Sequence, residues 1–417
     1  MADKYWRGGA YTLRGQGTAA SDGDWNYDDT GGGSNSNWVD ASGSAVAKPV
    51  TGTDKVFLTE LADRVPSTYS NSSYPHTAGG HWCITDNLDQ SALDLNGFFV
   101  SANYEGHIYG LKTRSLLAKA AQDQGGGIVR IRHSGALLAV GDYSTIGGTV
   151  SYNGEFRVQA AANDGTDNYI HIKATYVAET FETDDTITAR TPLQVSIADT
   201  YDMIIESNGT FYIECGSTTP NIPELIFNST SGLLHISSEA ANANWDDIRV
   251  TGGGTLTIAR DTYFTKLTTT GEATAAIINV GKDCIGPSSA SCDLDCFAST
   301  ITWDSKIGDV EQHGGTITYC QNVSTGTTVD IDKWLIYAGK ANLYGKFSLK
   351  DYEQWGGTIT AKGDGAKTIG SAATSYKQHG GTFDMSQATG PVSFYSGASI
   401  DHKGGDLKPA KRTTVSW

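Results

Sequence analysis

The chain has 417 residues, 50 of them glycine and 9 proline, with 30 Lys and Arg against 46 Asp and Glu, for a net charge of −16. Such a charge repels a phosphate backbone, which excludes nucleic acid as a partner, and no run approaches the 18 apolar residues of a membrane-spanning helix. The start, Met1-Ala-Asp-Lys-Tyr-Trp-Arg, lacks an apolar stretch of signal-peptide length, so the chain is expected to be made and kept in a cytoplasm or released by lysis.

Residues 1–60 carry Trp6, Trp25 and Trp38 in polar, glycine-rich text: Tyr5-Trp6-Arg7-Gly8-Gly9, Gly23-Asp24-Trp25-Asn26, Asn37-Trp38, Pro49 and Thr53-Asp54-Lys55-Val56-Phe57. So polar a stretch cannot build a sizeable core alone, and tryptophan is favoured at buried interface centres. A small irregular β domain serving as an anchor is expected here. The order Trp-x-Gly-Gly, Gly-x-Trp, Asn-Trp, Pro, Asp-x-Val-x-Phe resembles the opening of many tailed-bacteriophage virion proteins that continue as glycine-rich β-helical or β-stranded shafts. The resemblance implies a late structural protein located in the virion: a head fibre, a capsid decoration, or a tail fibre or tailspike. It also implies a homotrimer, with the major capsid protein or tail proteins as partners and a host-surface glycan as a further contact left open.

Residues 61–129 are expected to form a transition and cap. Their one helix-forming run is Arg114-Ser-Leu-Leu-Ala-Lys-Ala-Ala-Gln-Asp123, ended by Gly125-Gly126-Gly127.

From about 130 to 407 an eight-residue frame recurs: apolar, three variable residues, Gly-Gly, Thr or Asp, apolar. It reads Val310 to Ile317, Tyr352 to Ile359, Tyr376 to Phe383 and Ile400 to Leu407, with a degraded copy at Leu335-Ile-Tyr-Ala-Gly339. Tyr143 to Val150 fits it position for position, and Ile248 to Leu256 fits with one glycine added. Alternating apolar and polar residues around each copy (Ile301-Thr-Trp303, Phe347-Ser-Leu349) mark short strands with one inward face. Units of roughly 17 to 25 residues that cannot bury their own apolar face stack on their neighbours. The expected fold is all-β: a right-handed parallel β-helix of some twelve coils. Gly314, Gly356, Gly380 and Gly404 should align at one corner, with Ile317, Ile359, Phe383 and Leu407 pointing inward. The competing fold is an antiparallel sandwich with glycine hairpins.

His313, Trp355 and His379 share the slot before Gly-Gly, each preceded by glutamine (Gln312, Gln354, Gln378), and should form ladders that stack or meet a sugar. The basic tail, residues 408–417 with Lys408, Lys411 and Arg412, is either a solvated end or a docking segment for an acidic neighbour.

No catalytic, cofactor or metal site is assigned from the sequence. Gly-x-Ser-x-Gly, His-Glu-x-x-His and a Walker loop are missing. Asp184-Asp185 and Asp246-Asp247 are the candidate acid pairs of a glycosidase, but neighbours in a strand face opposite ways. Asp293-x-Asp295 and Asp330-x-Asp332 place two carboxylates on one face, as a hard cation needs. Cys284, Cys292 and Cys296 are clustered enough to raise zinc, a disulfide or free thiols; Cys83, Cys215 and Cys320 stand apart. The Asn-x-Ser/Thr sites at Asn71, Asn208, Asn228 and Asn322 mean little without a secretory route. The functional expectation is a non-enzymatic virion component acting by assembly and surface binding. Its alternatives are a tailspike-like polysaccharide depolymerase and a carbohydrate-binding adhesin.

Overall fold

A computed structural model describes residues 2–6, 25, 38–40, 44, 46–49, 54–58 and 89–415, except 103, 105, 183, 198–201, 217–221, 239–243, 285–290, 321–327, 371–374, 397–398 and 411–412. Residues 61–88 with Asn71 and Cys83, together with Asn322, Lys411 and Arg412, lie outside the described residues. All regular structure among the described residues is β-strand.

Most strands belong to two parallel ladders, and the chain alternates between them. The first ladder runs Ala2–Trp6, Asp54–Leu58, Gly97–Val100, Met203–Ile205, Ile222–Phe227, Trp245–Val250, Phe264–Thr269, Cys292–Cys296, Ile307–Gln312, Thr328–Ile336 and Lys346–Gln354. It then divides into two shorter tracks that end at Ser399–His402 and Thr413–Val415. The second ladder has 12 strands, from Asp89–Leu95 through Leu193–Ile197, Thr210–Cys215, Leu233–Ser238, Thr255–Ile258, Ile277–Val280, Thr300–Trp303, Thr316–Tyr319, Lys340–Leu343, Thr358–Ala361 and Thr382–Asp384 to Asp406–Lys408. One strand from each ladder makes a rung, and rungs repeat every ~4.8 Å. Such alternation is consistent with a β-helix.

Inward residues of both ladders form one continuous core. In the second ladder Ile317, Ala341, Ile359 and Phe383 lie in register and are buried; each fully buried large apolar side chain of this kind contributes about 1.5–3 kcal/mol. Leu407 continues the register above Phe383, yet it is 38% exposed, because no described strand of this ladder lies beyond it. The corner is set by backbone crowding. Gly357 has φ +70°, and a Cβ there would sit 2.8 Å from the carbonyl oxygen of Gly339 in the preceding rung.

Two expectations need correction. Arg114 to Asp123 is not a helix: Gly110–Ser115 pairs antiparallel with Thr186–Thr191, and the chain re-enters a strand at Gln122–Gly125. Leu116 and Ala121 are buried in a local core, so tertiary pairing overrides the helical propensity of the run. Nor does Tyr143 to Val150 form a corner, because Tyr143–Gly147 pairs antiparallel with Gly154–Asn163. Residues 110–191 form a seven-stranded antiparallel sheet, an insert with its own core of Val129, Ile131, Ile146, Val158, Ile170, Ile172, Phe181 and Ile187. The parallel ladders therefore begin before residue 130, and they resume after the insert at Leu193.

The N-terminal segment is likewise part of the main body. Ala2–Trp6 pairs parallel with Asp54–Leu58, Trp38–Val39 covers its outer edge antiparallel, and Trp6, Trp25 and Trp38 are buried in the main core. Trp38 Nε1 donates to the Trp25 carbonyl at 2.8 Å, and Trp25 stacks 6.3 Å from Phe98.

Candidate functional site

The two ladders present different faces to solvent. Outside the first stand Asp247, Arg249, Lys266, Asp293, Asp295, Asp309, Glu311, Lys333 and Glu353, paired across rungs: Arg249 to Glu224 at 3.0 Å, Lys266 to Asp295 at 2.5 Å, Lys350 to Asp332 at 2.5 Å. Outside the second, the registers place Thr257, Asn279, Thr302, Thr318, Asn342 and Thr360 in one column. The neighbouring column holds Leu233, Thr255, Ile277, Thr300, Thr316, Lys340 and Thr358. From Thr255 to Thr360 these two columns carry a single charge, Lys340, and charges return beyond them at Asp384, Asp406 and Lys408.

The insert docks on the upstream part of that neutral face. Arg157, from the insert strand Gly154–Asn163, donates through Nη2 to Glu214 Oε1 at 2.9 Å and through Nε at 3.1 Å; Gln194 donates to Oε2 at 2.6 Å. Glu214 is fully buried, which is tolerable because its oxygens are occupied. One rung on, His235 Nε2 lies 2.6 Å from Glu155 Oε1, with the ring stacked on Tyr212 at 4.7 Å and edge-on to Tyr143 at 4.4 Å. Lys173 reaches Asp261 at 2.8 Å, and Arg260 reaches Asp283 at 2.6 Å. Burial acts to raise the Glu155 carboxyl, but the charge and hydrogen bond of His235, with Arg190, outweigh it and hold it below its ordinary value. Burial, with Glu155 nearby, pushes the Tyr212 hydroxyl up to about 12.

Beyond these contacts insert and ladder part, leaving a groove. A cavity of about 450 Å³ has Thr257, Asn279 and Thr302 as its floor, with Phe156, Gln159 and Lys173 on the insert side. It adjoins a second cavity of about 970 Å³; the two share Phe156, Lys173, Arg260, Lys282 and Asp304, and Lys306 lies further along. Polar floor, aromatic wall and charged rim are the ingredients of a ligand cleft.

The residues singled out from the sequence lie elsewhere. His313 stacks between Phe297 at 4.3 Å and Tyr337 at 4.8 Å, while Trp355 stacks on His379 at 4.0 Å. His313 is covered on both faces, whereas Trp355 and Phe297 are each stacked on one side and remain about half exposed. Asp293 Oδ1 accepts from the Asp309 amide at 2.9 Å, and Asp330 and Asp332 share Lys350. Asp184 is exposed while Asp185 is buried and accepts from the Glu182 amide, and Asp247 stands in register with Glu224 and Lys266. Among the described residues no three His, Cys, Asp or Glu side chains group as a metal site. Cys215, Cys284, Cys292, Cys296 and Cys320 are buried free thiols. Burial raises Cys284 to about 12 and Cys296 to about 11, so both are protonated thiols in the metal-free chain. Glu155, Arg157, Glu214 and His235 have no motif in the sequence; the groove floor does, as the repeated Thr-x-Thr of Thr255-Leu-Thr257, Thr300-Ile-Thr302, Thr316-Ile-Thr318 and Thr358-Ile-Thr360.

No family model matches the chain, and neither does any curated protein or solved structure.

Proposed function

We propose that the protein is a non-enzymatic structural component of a bacteriophage particle, a capsid-attached fibre or decoration or a tail-associated fibre, whose two ladders are the walls of a parallel β-helical shaft. The observation that carries this proposal is the sustained parallel pairing of the ladders: a rod of stacked rungs whose load is borne by backbone hydrogen bonds and a continuous core. The N-terminal order of tryptophans and glycines points in the same direction by resemblance. With Trp6, Trp25 and Trp38 committed to the core, attachment to the particle falls to other surfaces. In this proposal the rod works as a homotrimer, because closed three-fold symmetry satisfies side surfaces without runaway association.

A surface-binding role is favoured over depolymerisation by the state of one groove acid, Glu155. A glycosidase acid needs a carboxyl raised toward neutrality, whereas Glu155 is held down by His235. Antibody against the protein should label particles purified from a lysate, and light scattering should give three times 44.2 kDa. A particle fraction without label would overturn the virion assignment, and a monomer at micromolar concentration would overturn the trimer.

A further inference from the structure

We propose that the groove and the threonine and asparagine column running out of it form one track for an extended oligosaccharide carrying carboxylates. This rests on the surface-binding role above and gives it a place and a ligand class.

The floor supplies the first observation. Thr257, Asn279 and Thr302 follow one another in register at ~4.8 Å steps, and Thr318, Asn342 and Thr360 continue the column past the insert. None of these six side chains takes part in a hydrogen bond among the described residues, although the charged face opposite is bonded rung to rung. Hydroxyls and amides both donate and accept, the pairing that sugar hydroxyls ask for. The repeat of one rung is close to the length of one sugar unit, so successive units meet equivalent partners.

The dimensions decide between two occupants. Six rungs at ~4.8 Å and two outward positions per strand give a strip of roughly 300 Å². A stable contact between two copies needs about 800 Å² from each. The strip is too narrow for a second copy and has the proportions of a single linear chain. Its upstream end is roofed by the insert, where Phe156 offers an apolar wall and about 450 Å³ of space lies over the floor.

The charge of the ligand comes from the rim. Lys173 and Arg260 are held by Asp261 and Asp283, but Lys282 and Lys306 line the same space without an ion partner among the described residues. Asp304 and Asp330 line the same space, so it is at these two unclaimed ammonium groups, beside the hydroxyl-binding floor, that a uronate-type carboxylate is met.

Calorimetric titration of the full chain with an alginate-derived hexauronate, and with isomaltohexaose as the neutral counterpart, tests this. The hexauronate should bind, and at least tenfold more tightly than isomaltohexaose. Asn279→Val with Thr302→Val, near-isosteric changes at outward positions, should weaken binding at least tenfold, as should Lys282→Glu, while Lys333→Ala on the opposite face leaves it unchanged. Unaltered melting temperatures establish that the variants remain folded. No heat of binding at millimolar hexauronate, equal binding of the neutral hexamer, or binding insensitive to the floor variants would each overturn the track. Antibody labelling of particles is independent of these titrations. Labelled particles without sugar binding sink the track alone, and sugar binding without labelled particles sinks the virion assignment alone.

Discussion

Gln312, Gln354 and Gln378 are completely buried, and each spans the gap between rungs. Gln354 Nε2 donates to the Gly356 carbonyl at 3.0 Å and to the Thr382 carbonyl of the next rung at 3.2 Å, while its Oε1 accepts from the Tyr352 hydroxyl at 2.5 Å. Gln354→Leu keeps the volume but strands that hydroxyl and a carbonyl, so it should cost about 2–4 kcal/mol in denaturant unfolding. Trp355→Ala, one residue on, removes an exposed ring stack and should cost about 1 kcal/mol or less. The recurrence of glutamine before His or Trp was legible in the sequence. Period-two alternation from Val310, Tyr352 and Tyr376 puts each glutamine on the inward side and the His or Trp outside; what obscured this was that glutamine is a rare choice for a core.

Glu155 gives a pH signature at the same scale. Its folded carboxyl titrates below the ordinary 4.5, so the stabilisation it gives the docked insert is complete above that value and fades as pH falls through the depressed one. Hydrogen-exchange protection of residues 143–163, taken relative to the intrinsic rate at each pH, should fall as the medium is acidified below about pH 4.5. Glu155→Gln should remove that carboxyl's share of the acid dependence; an unchanged profile would mean that the His235 contact contributes nothing to docking.

Among the elements, one eight-residue frame yields two structures. Val310 to Ile317 turns a corner between parallel ladders, whereas Tyr143 to Val150 ends a strand that pairs antiparallel with its successor. The difference lies outside the frame. After Gly148, the Thr149 hydroxyl accepts from the Tyr152 amide at 3.1 Å and donates to the Asn153 Oδ1 at 3.1 Å, closing a short loop that returns the chain beside itself. No local pattern announces that the partner strand is six residues away in one case and a full rung away in the other. A pair of substitutions separates the two turns. Gly356→Ala would place a Cβ 2.3 Å from the Tyr337 carbonyl oxygen of the preceding rung, and should cost about 2 kcal/mol or more. Gly147→Ala meets nothing within 4 Å and should stay within about 0.5 kcal/mol of the parent by the same unfolding measurement.

For the molecule as a whole, the ladders were visible in the sequence as a repeat, and the insert was not, because its strands carry the same alternation of apolar and polar residues as the rungs. Ile170 and Ile172 in the insert look no different from Ile278 and Val280 in the ladder. Yet the insert is separable in structure: its two ends, Gly110 and Thr191, sit side by side as a strand pair, and its core is distinct. Replacing residues 111–190 by a short glycine linker should therefore leave a folded protein that keeps its β circular dichroism and cooperative unfolding. Loss of cooperative unfolding would show that the ladders depend on the Arg157 and Glu155 contacts. The groove floor was present in the sequence as Thr-x-Thr, but its roof came from strands a hundred residues upstream, which no spacing rule connects to it.

The break in the ladders also orders events in time. Downstream of the insert a strand finds its partner close by: 23 residues separate Ile222 from Trp245. Across the insert, Phe98 must wait for Met203, 105 residues later. Closing the longer loop costs about 1.3 kcal/mol more in chain entropy, and it brings together strands that each expose apolar residues until they meet. Rungs from Met203 onward can zip by local contacts, with the tryptophan-bearing N-terminal rungs joining last. During synthesis the N-terminal rungs, with Trp6, Trp25 and Trp38, find their partners within the first hundred residues, but the apolar edge at Gly97–Val100 stays open until Met203–Ile205 emerges beyond the insert.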